Sequence, residues 1–161
     1  MQLPGALNKS KKSVYNKLFA KLRSRKSSAD DIVLEEIHNK TFERINCLDC
    51  ANCCKTHSPL FLQKDIERIA RHLKMQPSAF TAKYLMVDED GDWVFHSSPC
   101  PFLQPDNKCR IYDIRPNACR EYPHTNRKKI YQIADITLKN AEICPAVISI
   151  LDEMNSKIDN E

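Results

Sequence analysis

The chain has 161 residues, of which 42% are apolar and 29% charged, and it contains 8 Cys but only 2 Gly. No apolar run approaches the 18 residues that predict a transmembrane helix, and Gly5 and Gly91 alone cannot form a dinucleotide-binding or P-loop motif. The net charge of +4 is uneven, because residues 1–26 carry eight Lys and Arg and no acid, which leaves 17 basic against 21 acidic side chains in the remainder.

The basic residues form an N-terminal arm or helix, which we place at residues 1–28. Val14, Leu18 and Leu22 recur at i, i+4 and i+8 and predict an amphipathic helix over residues 11–26. We expect this arm to be solvated or flexible, in preference to a membrane-surface contact. It has no RNA-binding signature, so no nucleic-acid partner is expected.

A second helix is predicted over residues 30–44. Ser28 stands three residues before Asp31, which resembles a capping box at its start. The side chains expected to face inwards are Val33, Ile37, Phe42 and Ile45. Residues 47–54 are expected to form a loop or a single turn.

The middle of the chain alternates helices with a hairpin. Residues 64–74 show the clearest helical periodicity, with Ile66, Ile69, Ala70 and Leu73 on one face. Pro77 suits the first turn of a short helix through residue 84. The acidic, Gly-containing residues 88–92 predict a turn between strands at residues 84–87 and 93–96, and residues 97–105 are expected to be irregular.

The C-terminal third completes a mainly α fold with a small β-hairpin (α+β). Pro116 is predicted to begin a short helix that carries Cys119 and Arg120, residues 129–133 a strand, and Pro145 a final helix. That helix is expected to bury Val147, Ile150, Leu151 and Met154. We expect residues 29–161 to form one compact cysteine-cluster domain, in which a bound metal holds irregular Cys-bearing loops together.

Three cysteines at C-x-x-C-x-x-C spacing are the strongest signal in the sequence. Cys47, Cys50 and Cys53, here called the first triplet, can bring three thiolates into one small volume, as in bacterial ferredoxins. The remote fourth ligand of those proteins precedes a proline, as Cys100 and Cys144 do here.

Cys54 directly follows the first triplet and requires a separate explanation. Adjacent side chains diverge by about 100° on a helix and about 180° on a strand, so Cys53 and Cys54 do not easily serve one mononuclear site. We therefore assign Cys54 to a second site with some of the later cysteines, which are Cys100, Cys109, Cys119 and Cys144.

Iron–sulfur and zinc are both consistent with this pattern. Zinc ribbons use two separate C-x-x-C-like knuckles, whereas this chain has overlapping knuckles at residues 47–53 and widely spaced cysteines afterwards. The spacing therefore favours an iron–sulfur cluster, of the 4Fe-4S type, with zinc as the alternative. His57 and His124 are each near a cysteine and could complete a Cys3His zinc site.

Basic residues are frequent near the cysteines. Arg115 and Arg120 flank Cys119 within one predicted turn. Guanidinium groups in such positions lower thiolate pKa and tune a metal site.

The motif combination resembles the YkgJ-type cysteine-cluster family, whose CxxCxxCC domain is described as zinc- or iron-chelating. The resemblance covers about residues 45–148 and rests on residues 47–54, Cys100-Pro-Phe-Leu and residues 109–123. It implies that all eight cysteines are metal-site positions, accompanied by Tyr112, Arg115, Pro116 and Arg120. Some members are labelled iron–sulfur oxidoreductases by analogy, and flagellin lysine N-methylases carry a similar motif, so the resemblance leaves the reaction and any catalytic residue open.

Two functions compete at this point. One is an iron–sulfur protein with a redox or cluster-dependent role and an unidentified redox or protein partner; the other is a non-catalytic zinc module whose metal is structural. Metal trafficking is a third. Residues 1–7 are too short for the apolar core of a signal peptide. We therefore expect a cytoplasmic protein with reduced cysteines, although the acid-free arm also fits an organelle transit peptide.

Overall fold

The structure is a computed structural model that describes residues 7–160. The first six residues of the predicted arm lie outside this range. The helices and strands, in chain order, are α1 (Lys9–Arg25), α2 (Ser28–Arg44), α3 (Cys47–Cys50), α4 (Asn52–Thr56), α5 (Gln63–His72), α6 (Pro77–Tyr84), β1 (Leu85–Val87), β2 (Trp93–Phe95), α7 (Asn117–Glu121), α8 (Ala134–Ala141) and α9 (Pro145–Asp159). The prediction of a mainly α fold with a small β-hairpin is confirmed.

The chain divides into two units. The helical unit comprises residues up to Asn46 together with those from Pro123 onwards, and the cysteine unit comprises Cys47–Tyr122. The boundary predicted at residue 28 stays a prediction. No helix within residues 7–160 is long and apolar enough to cross a lipid bilayer.

The core of the helical unit includes α1, α2 and α9. Helix α1 buries four side chains, Tyr15, Leu18, Phe19 and Leu22, and the predicted inner face of α9 is fully buried. Burying side chains of this size stabilises a fold by roughly 1.5–3 kcal/mol each. The basic segment is therefore a packed helix, which corrects the expectation of a solvated or flexible arm. Val14 is 40% exposed, so it does not belong to the inner face.

Two local predictions in the helical unit are wrong, and one helix is missing from the predictions. The N-cap of α2 is Ser27, whose hydroxyl accepts from Ala29 N–H at 3.2 Å, not Ser28. Residues 129–133 are not a strand: Lys129 is left-handed (φ 55°) and a 3₁₀ turn follows over Ile130–Ile133. That turn leads directly into α8, which the sequence analysis does not predict.

The cysteine unit has a small core of its own. Helix α5 buries Ile66, Ile69 and Ala70, as predicted, and α6 and the hairpin begin and end within a residue of the predicted positions. Four phenylalanines pack with them, namely Phe61, Phe80, Phe95 and Phe102. Phe102 is 1% exposed and lies between Cys100 and Cys109 in sequence, so it anchors the irregular loop that carries both.

Candidate metal centre

Two short helical turns, rather than a loop or one turn, carry the first four cysteines. Helix α3 holds Cys47 and Cys50, and α4 holds Cys53 and Cys54. The chain reverses between them at Ala51, which is left-handed (φ 50°, ψ 21°) and whose N–H donates to the carbonyl of Cys47 at 2.8 Å. The left-handed residue ends α3 and lets α4 begin at once. Four thiols therefore lie close in space within residues 47–54.

A bridged loop brings Cys100 and Cys109 into one region. Leu103 and Cys109 form an isolated antiparallel bridge. The Arg110 N–H donates to Phe102 O at 2.9 Å, and the Leu103 N–H donates to Cys100 O at 3.0 Å. Because Phe102 is buried in the aromatic core, the loop holds both cysteines against a fixed support.

Backbone hydrogen bonds join this loop to the first cysteine segment. The Cys100 N–H donates to Cys54 O at 2.8 Å. Next to it, the Ser98 hydroxyl donates to Lys55 O at 2.9 Å. Two segments distant in sequence thus meet at Cys54.

The pKa values of the later thiols show that they share one environment with Cys54. Burial raises the pKa of Cys119 to about 12, and the charges of Cys54, Cys100 and Cys109 add to the rise. Burial likewise raises the pKa of Cys100 to about 11, with Cys54 and Cys109 adding to it. Cys100, Cys109 and Cys119, here called the second triplet, therefore lie near one another and near Cys54.

Cys54 also interacts with the first triplet. A hydrogen bond from the Cys53 thiol lowers the pKa of Cys54 to about 7. The charge of Lys55 lowers this pKa further, whereas burial raises it. Burial raises the pKa of Cys47, and the charges of Cys50 and Cys54 raise it further. Adjacent thiols on α4 thus interact, and the assignment of Cys54 to a second metal site stays a prediction.

Arg115 supplies positive charge to both triplets. Burial raises the pKa of Cys109, and Arg115 opposes the rise there and also at Cys47 and Cys119. Its guanidinium lies 3.9 Å from the centre of the Tyr112 ring and donates to Tyr112 O at 2.6 Å. Arg120 donates to the carbonyl oxygens of Arg115 and Asp113. Three of the four predicted companions, Tyr112, Arg115 and Arg120, therefore form one connected group at residues 112–120.

A partly buried ion pair, not predicted from the sequence, supports this group. Asp65, 1% exposed on the first turn of α5, accepts from Arg68 at 2.6 Å and from Asn117 N–H at 3.2 Å. Arg68 also donates to Ile114 O at 3.3 Å and Arg115 O at 2.9 Å. The i, i+3 spacing of Asp65 and Arg68 is visible in the sequence. Their contacts with residues 114–117 are tertiary, so no local sequence pattern predicts them.

Cys144 belongs to the helical unit. It is the N-cap of α9, packs against the helical core, and its N–H donates to Asn140 O at 2.8 Å. The other seven cysteines belong to the cysteine unit. His57 is one of the two candidate histidines. Its Nδ1 lies 3.0 Å from Thr56 Oγ1, within hydrogen-bonding distance.

The donor set fits a thiophilic metal. Backbone N–H groups of Phe102 and Leu103 donate to the Cys100 sulfur, and that of Ile111 donates to the Cys109 sulfur; such bonds stabilise thiolates. Soft thiolate ligands select zinc or iron–sulfur chemistry over magnesium or calcium. As the thiols stand in residues 7–160, no three Cys, His, Asp or Glu side chains converge closely enough to hold an ion.

Comparison with known proteins agrees with this chemistry. The family described as "CxxCxxCC: Putative zinc- or iron-chelating domain" matches residues 46–145, and the chain belongs to that family. An uncharacterized protein of Methanocaldococcus jannaschii is 30% identical over 83 residues, which cover 50% of this chain and 44% of the relative. The match thus spans less than half of that relative's length. No solved structure matches the chain.

Proposed function

We propose that the cysteine unit is a thiolate metal centre whose bound iron or zinc holds residues 47–56 and 97–122 together. The observation that carries this proposal is the position of Cys54, which interacts with both cysteine triplets. The ligands are the seven cysteines of the unit, with Tyr112, Arg115 and Arg120 around them. Cys144 as an eighth ligand stays a prediction from the sequence.

The need for a metal follows from the size of the unit's core. Its core cluster contains nine buried residues, and small cores of this kind generally need a disulfide or metal to hold irregular segments. The raised thiol pKa values of Cys100 and Cys119 reflect partly buried sulfurs that are costly to ionise alone. A bound cation reverses this cost, since thiolate–metal bonds replace the protons and couple binding to folding.

Metal ions held directly by cysteine, as in zinc modules, are the first candidate, because the description of the matching family names chelation of zinc or iron. A tetrahedral zinc site takes four cysteine ligands, and seven thiols lie in this unit. In this form the metal is structural and the protein is a binding module.

An iron–sulfur centre is the second candidate. The first triplet has the ferredoxin spacing and Cys100 precedes Pro101, as a remote cluster ligand does. A redox or cluster-dependent role, with a partner still to be identified, would accompany this form.

Elemental analysis separates these outcomes. Iron, zinc and acid-labile sulfide are counted per chain in protein purified without oxygen, alongside Cys109→Ser and the control Ser78→Ala at an exposed position of α6. We expect firmly bound metal without sulfide, reduced in Cys109→Ser and retained in Ser78→Ala. Matching amounts of iron and sulfide favour the iron–sulfur candidate, and a metal-free wild-type chain refutes the thiolate centre.

A further inference from the structure

We propose that the outer edge of β1 and the acidic turn after it bind an extended, basic segment of a partner protein, which adds to the hairpin as a further strand. This docking surface, here called the hairpin edge, comprises residues 85–93. It contains no cysteine, so it goes beyond the proposed metal centre and is tested independently of it.

Strand β1 is paired along one edge only. Towards β2, the Asp88 N–H donates to Asp92 O at 2.9 Å. Successive residues of an antiparallel strand direct their N–H and C=O groups to opposite edges, so those of Val87 face away from β2. Within residues 7–160 no strand pairs with that outer edge, whereas the outer edge of β2 is bridged by Phe61 at Trp93.

Exposed apolar side chains cluster at the same hairpin. Val87 and Trp93 are directly opposite each other across the two strands and are 49% and 37% exposed. Of the nine exposed large apolar side chains within residues 7–160, five lie on the hairpin or beside its bridge to Phe61, namely Leu60, Leu62, Met86, Val87 and Trp93. Apolar side chains that cluster in this way at a surface mark sites of protein contact.

The turn between the two strands determines the charge of the partner. Residues 88–92 contain four acids and no base. The carboxylate of Asp88 accepts from the N–H groups of Asp90 and Asp92 at 3.0 and 2.9 Å, which shapes the turn. Glu89, Asp90 and Asp92 are exposed beside the apolar side chains. Lysine or arginine side chains of a partner would complement this charge.

The same charge disfavours a second copy of this chain as the occupant. Residues 85–95 of a second copy would bring four more acids and no base. Strand β1 has three residues, which is short for pairing two folded copies, since stable interfaces bury about 1,200–2,000 Å². An extended segment can follow both the strand edge and the turn, so main-chain hydrogen bonds and charge pairing both contribute to its binding.

Peptide binding followed by tryptophan fluorescence tests the hairpin edge in the full-length chain as purified. Trp93 is the one tryptophan of the sequence, so its emission reports on this surface. The probe is an acetylated and amidated seven-residue peptide of alternating lysine and valine. One control peptide carries glutamate in place of each lysine, and another carries proline in place of the central valine.

We expect the lysine peptide to shift the Trp93 emission to shorter wavelength in a saturable way, and salt to weaken its binding. The glutamate peptide should cause no shift. The proline peptide should bind roughly tenfold more weakly, because proline removes a ladder hydrogen bond. Equal binding of the lysine peptide and either control, or failure of every peptide to bind, overturns the proposal. An emission shift that grows with protein concentration without peptide, together with a doubled mass in analytical ultracentrifugation, assigns the edge to a second copy and also overturns it.

Matched charge reversals locate the binding site. Glu89→Lys is expected to weaken binding of the lysine peptide several-fold, because it replaces attraction with repulsion at the turn. Glu36→Lys, the same change at an exposed position of α2, is expected to leave the affinity unchanged. Circular dichroism checks that both variants are folded. Equal affinities in the two variants overturn the role of the acidic turn.

Discussion

The backbone N–H of Cys100 donates to the carbonyl oxygen of Cys54 at 2.8 Å, which joins two cysteine-bearing segments without involving either sulfur. The residue that follows Cys54 strengthens the junction, since Lys55 O accepts from the Ser98 hydroxyl. These two bonds hold the cysteine-bearing segments together through the backbone, and a metal held by thiols of both segments would in turn protect them.

Amide exchange at Cys100 should consequently depend on metal. We expect slow exchange in the loaded protein and much faster exchange after chelation, because opening of the two segments exposes the bond. Hydrogen–deuterium exchange with mass spectrometry measures this, with the peptide containing Ile150 in the α9 core as a control that stays protected. Equal exchange at Cys100 in both states would show that metal does not hold the junction.

Arg68 should influence metal affinity without touching the metal. Arg68→Lys keeps the charge beside Asp65 but loses the forked donation to Ile114 O and Arg115 O. Loss of outer contacts of this kind weakens metal binding by about 10–100-fold. Competition with a chromophoric chelator measures the affinity, and Arg71→Lys, an exposed position on the same helix, is the control. Equal affinities in the two variants would contradict the supporting role.

Ala51 should tolerate glycine but not valine. An L-residue in the left-handed region costs about 1–2 kcal/mol, and Ala51 adopts φ 50° while 4% exposed. Ala51→Gly removes this strain and should preserve metal affinity, whereas the β-branched Ala51→Val should weaken it. The same chelator competition measures both. Ala20→Val, at an exposed site within α1, should have no effect. Normal affinity in Ala51→Val would mean that the reversal between α3 and α4 is dispensable.

His38 should make the helical unit less stable in mild acid. Burial lowers the pKa of His38, and the charge of Glu35 raises it by less. The Nδ1 of His38 lies 2.8 Å from the hydroxyl of the buried Thr125. The unfolded chain therefore binds the proton more readily, so stability is retained above the ordinary pKa of about 6.5 and falls as pH drops below it. NMR titration of the His38 ring should give a pKa below that value, and His38→Gln should flatten the pH dependence of unfolding. An unshifted titration would contradict this.

Local sequence patterns predicted the parts of this protein that depend on local interactions. Helix α6 was predicted with its observed bounds and α5 within two residues, because Pro77 and the spacing of Ile66 and Ile69 are local signals. Residues 129–133 were misassigned because a segment of five residues is too short for its periodicity to separate a strand from a 3₁₀ turn.

The candidate site was only partly predictable for the same reason. Spacing alone indicates that Cys47, Cys50 and Cys53 lie together. The meeting of Cys54 with Cys100, and the support that Arg68 gives to Arg115, are tertiary contacts between distant segments.

Alkylation mapping tests most directly whether the cysteines of this unit hold metal together. The native protein is treated with iodoacetamide before and after chelation, and modification of each cysteine is measured by peptide mass spectrometry, with Cys144 reporting on the helical unit in the same digest. The thiolate centre predicts that the seven cysteines of residues 47–122 react slowly in the loaded protein and rapidly after chelation. Equally rapid modification of all seven in both states would contradict it.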